Sequence, residues 1–377
     1  MAQPFTPFDR EMMQRCLALA RQALGRTAPN PMVGSVIVKD QHIVGEGFHS
    51  RMQVNPTPSI ALRAAGDRAR GATVYVSLEP CNHYGRTPPC SEALVEAQVK
   101  EVIVGMVDPD PRVAGGGIER LRAAGITVKV GLEEEQCRQL NEAFIHRITH
   151  QLPFGLLKYA MTLDGKIGTS HGHSRWISCP QSRIKVHELR GACDAVIVGG
   201  NTVRQDNPKL TTHGVVDHNP LRVVMSETLD LPLDAHLWPD PKHPSFAPTV
   251  NNPIPPSPPT LVFTGPQGNP AFKAHLEQRG LEVVTLECLT PLAVMEDLYH
   301  RGLSSVLWEC GGNLSAAAIS QGVIQKVIAF VAPKIIGGDQ APTPVGNLGS
   351  VNMDEALLLK NVYTYMIDRD IVIEGYL

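Results

Sequence analysis

The sequence predicts an α/β protein built as two domains. Its 377 residues exceed what one ordinary domain holds. Apolar strands alternate with amphipathic helices along the whole chain, the pattern of a layered α/β architecture. The alternation pauses at "QLP", residues 151 to 153, and then restarts. The boundaries that follow are 1–148 and 149–377.

Hydrophobic residues at 43% and charged residues at 19% supply a sizeable core and a water-facing surface. A net charge of -3 and an aromatic content of 5% argue against nucleic acid or an anionic membrane as partner. No apolar run reaches the roughly 18 residues that a membrane span needs. The opening segment carries charge too early for a secretory signal. The eight cysteines, at 16, 81, 90, 137, 179, 193, 288 and 310, follow no disulfide framework. A cytoplasmic protein with free thiols is expected, except where two thiols converge on a metal.

The first helix presents Met12, Cys16, Leu19, Ala20 and Ala23 on one face. "MVGSVIVKDQHIVGEGFH" reads as two strands turning at Asp40-Gln41. The helix "SIALRAAGDRARG" leads to the strand "ATVYVSL", and "SEALVEAQV" leads to "EVIVGMV". A turn-rich "DPDPRVAGGG" precedes the helix "IERLRAAG" and the strand "ITVKVG", and "EEEQCRQLNEAFIHRITH" is predicted as one closing helix. The second series opens with the strand "FGLLKYAMTLDGKIG" and the helix "CPQSRIKVHELRGAC". "DAVIVGGNTV", "LRVVMS", "TLVFTG", "LEVVTLE", "SVLWECGGN", "QKVIAFVAPKIIGG" and "DIVIEGYL" follow as strands or strand–loop units. Between them, residues 247 to 260 hold six prolines, which favour an extended surface loop over a paired strand.

Chemistry concentrates in a few places. In "EPCNHYGRTPPC", Cys81 ends a strand and Cys90 stands at a helix start, nine residues on. A thiolate near a helix N-terminus is stabilised there, which suits a metal ligand. A bare pair at this spacing is equally well two buried thiols. "PC" with a second Cys beside a helix is also half of the zinc-deaminase signature, whose other half is H-x-E. In the second series, Gly311 and Gly312 of "WECGGNLSAAAI" follow a strand and open a helix, where free N–H groups suit a phosphate. A glycine pair at such a turn also serves packing alone. Arg190, near the end of its helix, is either a ligand-binding cation or a solvated helix-end charge.

Longer segments make the reading specific. "TAPNPMVGSVIV", "GATVYVSLEPCNHYGRTPPC", "LKYAMTLDGKIG", "SRWIS", "GNTVRQDNPKLT" and "ECGGNLSAA" together resemble the bifunctional deaminase–reductase family of riboflavin biosynthesis, over essentially the whole chain. The resemblance implies a cytidine-deaminase-like three-layer sandwich followed by a dihydrofolate-reductase-like domain. The first would deaminate a phosphoribosylated diaminopyrimidinone with Zn2+, and the second would reduce the ribosyl group of the product to ribityl with NADPH. It implies Cys81 and Cys90 as metal ligands. It also implies Ser174, Arg190, Leu210 and Glu309 against substrate, with Arg190 on its phosphate. Ala160, Trp176, Thr202, Asp206, Gly311, Gly312 and Asn313 would lie against cofactor. A homo-oligomer is expected.

Three departures stand out. Where the family has A-G-x-P-H-A-E, this chain has Pro56 at the zinc-ligand position and Pro58 at the catalytic-carboxylate position, so the motif is disrupted over 52–59. Neither proline has a ligand atom or a proton to give, and neither His49 nor His83 nearby supplies a carboxylate. One reading is genuine loss, leaving a reductase on a deaminase-shaped scaffold. The other is a shifted reading frame. Read from the last base of the Met52 codon, the codons of "QVNPTPS" can spell A-G-Q-P-H-A-E, while "GFH" and "ALRAAG" on either side stay in register; we favour this second reading. The family's Arg after "LT" is replaced by His213. "VVMSE" replaces a commoner Asp-Ser pair and places Ser226 at the adenosine side. Hydride transfer needs little acid–base machinery beyond protonation of the sugar carbonyl oxygen, for which Lys158 and Asp164 are candidates.

Overall fold

The computed structural model describes residues 5–48, 57–84, 88–111, 113–239 and 258–377. The chain divides into two compact units, Met1–Gln151 and Leu152–Leu377. Pro56, His49 and most of the proline-rich loop lie outside the described residues.

The first unit runs α1 (Pro7–Arg21), β1 (Gly34–Lys39), β2 (His42–Phe48), α2 (Thr57–Ala65), β3 (Thr73–Leu78), α3 (Cys90–Glu96), β4 (Glu101–Met106), α4 (Gly116–Ala123), β5 (Thr127–Val130), α5 (Glu134–Leu140) and α6 (Glu142–His150). Thr6 and Asp9 close a reciprocal cap on α1, ahead of Pro7, so the helix starts where its donors are satisfied. Asp40 and Gln41 take φ of 49° and 62°, the tight left-handed turn that joins a two-residue hairpin. The sheet order is β2-β1-β3-β4-β5, with β3, β4 and β5 parallel. Alternate strand residues face opposite cores. Val36, Val38 and Tyr75 pack with Met13 and Leu17 of α1 and Cys137 of α5. Ile37, Val74 and Val76 pack with Ala61 of α2, Leu94 of α3 and Leu121 of α4. These are the three layers that the sequence predicts.

One predicted element is corrected. The closing helix is broken at Asn141, whose buried amide accepts from Met32 N–H at 2.8 Å and donates to Met32 C=O at 3.0 Å. The side chain satisfies both polar groups of a loop residue, and the chain redirects into α6 there.

The second unit runs β6 (Phe154–Thr162), α7 (Pro180–Ala192), β7 (Ala195–Gly199), α8 (Gly200–Asp206), β8 (Leu221–Met225), β9 (Thr260–Thr264), α9 (Pro270–Gln278), β10 (Glu282–Thr285), α10 (Pro291–His300), β11 (Ser305–Trp308), α11 (Gly312–Ser320), β12 (Lys326–Ala332), β13 (Lys360–Ile367) and β14 (Asp370–Tyr376). Its sheet order is β10-β9-β8-β7-β11-β6-β12-β14-β13. The seven strands from β10 to β12 are parallel, and the β13–β14 hairpin adds antiparallel at one edge. Leu156, Val196 and Val224 meet Val186 of α7, Val203 of α8 and Phe272 of α9 on one face. Leu157, Ile197 and Val223 meet Val294 and Met295 of α10 and Ala318 of α11 on the other. The predicted first strand is shorter than its apolar run, because Lys166 N–H bonds back to Thr162 Oγ1 and turns the chain. β13 escapes the sequence reading; "KNVYTYMI" is mostly exposed and has no buried face to set a period.

Candidate active sites

In the first unit, Cys81 lies just past β3 and Cys90 is the first residue of α3. Their sulfurs are 3.1 Å apart, and the Cys90 N–H donates to Cys81 Sγ at 3.3 Å. The Cys90 thiol beside it, helped by that N–H and opposed by burial, brings Cys81 down to about 6. The pair therefore holds one thiolate readily, as a metal ligand must.

Glu79, two residues earlier, fixes the wall of this site. Its buried carboxylate accepts from the N–H groups of Asp108 at 3.2 Å, Gly115 at 3.0 Å, Gly117 at 3.0 Å and Ile118 at 3.3 Å. A Cβ at Gly117 would stand 1.9 Å from the Pro80 carbonyl oxygen, so this approach admits only glycine.

The other half of the chemistry is missing from the described residues. Pro58 sits buried in the first turn of α2, the place of the expected carboxylate. His83 is exposed. Among the described residues no group of three or more His, Cys, Asp or Glu could hold a metal. Zinc takes three protein ligands in a catalytic site. Two thiols alone do not complete one, and we derive no zinc-dependent step from this geometry.

In the second unit, the site lies at the C-terminal ends of the central parallel strands, where open α/β sheets bind ligands. Glu309 directly follows β11, Lys158 projects from β6, and Arg190 closes α7. Arg190 Nε and Nη2 donate to the two Glu309 oxygens at 2.6 and 3.0 Å, and Nη1 donates to Thr211 C=O at 2.9 Å. Lys158 Nζ stands 3.8 Å from Glu309 Oε2. Burial works against the Glu309 charge, but Arg190 and Lys158 outweigh it and hold the carboxyl at about 2. Burial lowers Lys158, with Glu309 opposing.

These contacts revise several expectations. Arg190 is not a solvated helix-end charge; it is half-buried and ion-paired. Glu309 reaches the site as one half of an ion pair with Arg190, and each of its oxygens keeps acceptor capacity for a substrate hydroxyl. Ser174, expected on substrate, donates to Asp206 Oδ1, expected on cofactor, at 2.8 Å, and Arg175 donates to the Asp206 carbonyl. The Leu210 side chain is 2% exposed in the core, so only its backbone, at a φ of 54°, faces outward chemistry. Asp164 is partly exposed and accepts from the N–H groups of Ile336 and Gly337, the contacts of a turn cap. That leaves Lys158 as the stronger of the two candidates.

Trp176 is 63% exposed, which excludes a core role, and the Arg183 guanidinium lies 4.4 Å from its ring centre. Ala160 is half-buried on the same face of β6 as Lys158, and Thr202 half-buried on α8. Gly311 is open, but a Cβ on Gly312 would lie 2.6 Å from Thr343 C=O; that glycine serves packing of the 343–346 segment. Asn313 is exposed in the first turn of α11, and Ser226 is buried against Gly200. The open Gly311, the α11 start and the exposed Trp176 fit a dinucleotide.

Sequence reasoning missed that Arg183, His187 and Arg190 form a single face. Their i, i+4, i+7 spacing on α7 was the available signal. It also missed Asp370, whose buried Oδ2 accepts from the Cys179 N–H and the Ser182 hydroxyl, both at 2.7 Å, and so fixes the start of α7.

Fold and site together define a two-domain enzyme, with a zinc-deaminase-type unit followed by a reductase unit. Residues 6–106 match the cytidine and deoxycytidylate deaminase zinc-binding region, and residues 153–373 match the RibD C-terminal domain. The chain is 56% identical to the riboflavin biosynthesis protein RibD of Synechocystis, over 98% of this chain and 96% of that one. It is similar to the structure of Acinetobacter baumannii RibD, with a TM-score of 0.83, 35% identity and 98% of each chain covered. A Thermotoga maritima structure described as a diaminohydroxyphosphoribosylaminopyrimidine deaminase/5-amino-6-(5-phosphoribosylamino)uracil reductase matches with a TM-score of 0.83, 32% identity and 98% of each chain covered. The chain belongs to the RibD family of riboflavin-biosynthesis enzymes.

Proposed function

We propose that the second unit reduces the ribosyl group of a phosphoribosylated aminopyrimidine to ribityl, with Lys158 as proton donor. The buried Lys158–Glu309–Arg190 cluster at the strand ends carries this reading. In an N-linked ribosyl group, C1′ bears the ring oxygen rather than a free carbonyl, which amends the simpler expectation from sequence. NADPH, when bound, supplies a hydride to C1′. The C1′–oxygen bond breaks, and the departing ring oxygen takes a proton to become a hydroxyl. Lys158 is an ammonium whose proton is loosened by burial and whose position Glu309 fixes. Gly311, Asn313, Thr202 and Trp176 are assigned to the cofactor, and Arg190 with the backbone of Leu210 to the substrate. Lys158→Met should cut kcat for NADPH oxidation by roughly 10²- to 10⁴-fold, with a much smaller change in KM. An unchanged kcat removes Lys158 from the chemistry.

For the first unit we propose that the intact gene encodes the family's deaminase motif across residues 52–59, in the shifted frame. The deaminase fold, the paired thiols and the Glu79-held wall support this, since the scaffold for the missing residues is kept whole. Sequencing the source DNA across codons 47 to 66 tests it. A read of P-H-A-E in frame gives a zinc deaminase joined to a reductase. A read of "NPTPS" leaves a reductase with a catalytically dead first unit.

We further propose a homo-oligomer in a reducing cytoplasm. β13 is the edge of the nine-stranded sheet, and Tyr363 on it is 70% exposed beside the exposed Val362 and Met366. An apolar edge strand of this kind is one that proteins ordinarily cover. All eight cysteines are free, in keeping with a reducing compartment. No described helix is long and apolar enough to cross a membrane.

A further inference from the structure

Trp176, assigned to the cofactor, is held by cations at two points, its ring and its carbonyl. Arg183 Cζ lies 4.4 Å from the ring centre, and Arg183 Nη1 donates to the Ser178 carbonyl at 2.9 Å. Lys334 Nζ donates to the Trp176 carbonyl at 2.6 Å. Arg175 Cζ stands farther off, 5.9 Å from the ring centre, and Arg175 donates to the Asp206 carbonyl. The start of α7 is anchored where Asp370 accepts from the Cys179 N–H and the Ser182 hydroxyl, so Arg183, the next residue, has a fixed place. The indole thus has a half-buried guanidinium against it while 63% of its surface stays open.

The charges around this ring do not cancel. Arg175, Arg183 and Lys334 are positive, and the acid on the same loop contact is Asp206, whose Oδ1 accepts from Ser174 at 2.8 Å. Arg183 itself meets a carbonyl and an aromatic ring, with no carboxylate across from it among the described residues. In the reading proposed above, Ser174 faces substrate and Trp176, two residues later, faces cofactor. Those two ligands meet at the nicotinamide. That end of the cofactor is also the one whose charge changes in the reaction. The neutral dihydronicotinamide of NADPH gives a hydride to C1′ and becomes a pyridinium cation; the C1′–oxygen bond breaks and the oxygen takes a proton. The phosphates of the cofactor are the same before and after.

We infer that Arg183 is a specificity-determining residue for the redox state of the cofactor: its charge, presented through the Trp176 ring, favours NADPH over NADP+ and promotes release of the oxidised form. The inference rests on the assignment of Trp176 to the cofactor. Two effects act with the same sign. A guanidinium on an indole face draws on the π density of the ring and leaves less for a pyridinium on the opposite face. Direct repulsion adds to this. A ring stacked at van der Waals distance on the open face of Trp176 lies about 8 Å from Arg183 Cζ. At that separation one pair of like charges shifts a binding constant by about 2-fold in bulk water and about 30-fold at the effective dielectric of a protein surface. A half-buried cation beside an exposed indole falls between these limits, at about 3- to 10-fold.

The test is equilibrium binding of NADPH to the full chain without substrate, followed by quenching of tryptophan fluorescence, with NADP+ read by displacement of NADPH. Wild type should hold NADPH more tightly than NADP+, by a margin that shrinks as salt rises from about 0.01 to about 0.5 M. In Arg183→Gln the ratio of the two Kd values should move toward NADP+ by about 3- to 10-fold, chiefly because NADP+ binds more tightly. A phosphate-binding arginine gives the opposite result, since its loss weakens both forms alike. Arg183→Lys keeps the charge and should retain most of the preference. The Asp370 anchor of α7 is untouched in both variants, and a fluorescence melt checks that each is folded. Equal weakening of both cofactors in the Gln variant, with the ratio kept, overturns the inference. So does a ratio lost alike in the Lys and Gln variants, or a wild-type ratio indifferent to salt. A wild type that binds neither cofactor sinks the reductase reading, and the inference with it; binding of both with no preference sinks the inference alone.

Discussion

Glu309→Gln leaves Arg190 and Lys158 facing each other across a buried site with the shared carboxylate gone. Two routes give the cost. The carboxyl is held at about 2 against an ordinary 4.5, so charging it in the folded state is worth about 3 kcal/mol. Removing one partner of a buried ion pair ordinarily costs about 3 to 5 kcal/mol, most of it the charge left behind. The agreement sets an expected loss of about 3 kcal/mol at neutral pH, or about 6 to 12 °C in Tm for a unit of this size. The assay is urea unfolding followed by tryptophan fluorescence. Trp176, Trp238 and Trp308 are the whole tryptophan content of the chain and all lie in the second unit, so the signal reports that unit alone. The pH dependence follows from the sign of the shift. A depressed carboxyl stabilises the fold above its unfolded value of 4.5, and that contribution is lost as pH falls toward about 2. The stabilities of wild type and variant should converge over that interval. Parallel curves, or equal stability at neutral pH, refute the assignment of Glu309 as the counter-ion of the cluster.

Other perturbations reach other parts of the molecule. Asn141→Ala strips both polar groups of Met32 of their partner and should destabilise the first unit by about 1 to 3 kcal/mol, seen as faster hydrogen exchange at the Met32 amide. Gly117→Ala forces a methyl into the Pro80 carbonyl and should loosen the segment that Glu79 holds; a thiol reagent should then label Cys81 faster than in wild type. Tyr363→Lys at the sheet edge should lower the particle mass in light scattering without changing the fluorescence melt. An unaltered mass assigns the oligomer to another surface.

Much of the architecture was legible because most strands bury both faces. "AVIVG" and "LRVVM" are continuous apolar runs between helices, which is how a covered parallel sheet reads. The unit boundary near 150 was visible for the same reason, as a break in that rhythm. β13 was not legible, because its residues face solvent and its place is set by pairing with β14. The break at Asn141 depended on a hydrogen-bond partner 109 residues away, which no local window contains. In the site, Arg190, Glu309 and the thiol pair came from motifs. Their bonding to one another did not, because each lies on a different element. Leu210 shows the converse: a position expected against substrate, whose side chain lies in the core. His213 read as a departure from pattern, and its ring contact with His187, at 4.4 Å between centres, depended on the fold.

The Glu79 carboxylate, clasped by four main-chain amides, has a consequence for how the first unit survives change. Small metal domains commonly collapse when a chelator removes their ion, because the ion is their folding energy. Here the segment from 108 to 118 is moored to the sheet by an ordinary side chain, next to the thiols and independent of them. Chelation should therefore leave protease resistance and the circular dichroism of this unit intact. A domain so moored can lose its chemistry without losing its shape, and a lineage can keep it as ballast, or restore its activity by a few codons, without ever passing through an unfolded ancestor.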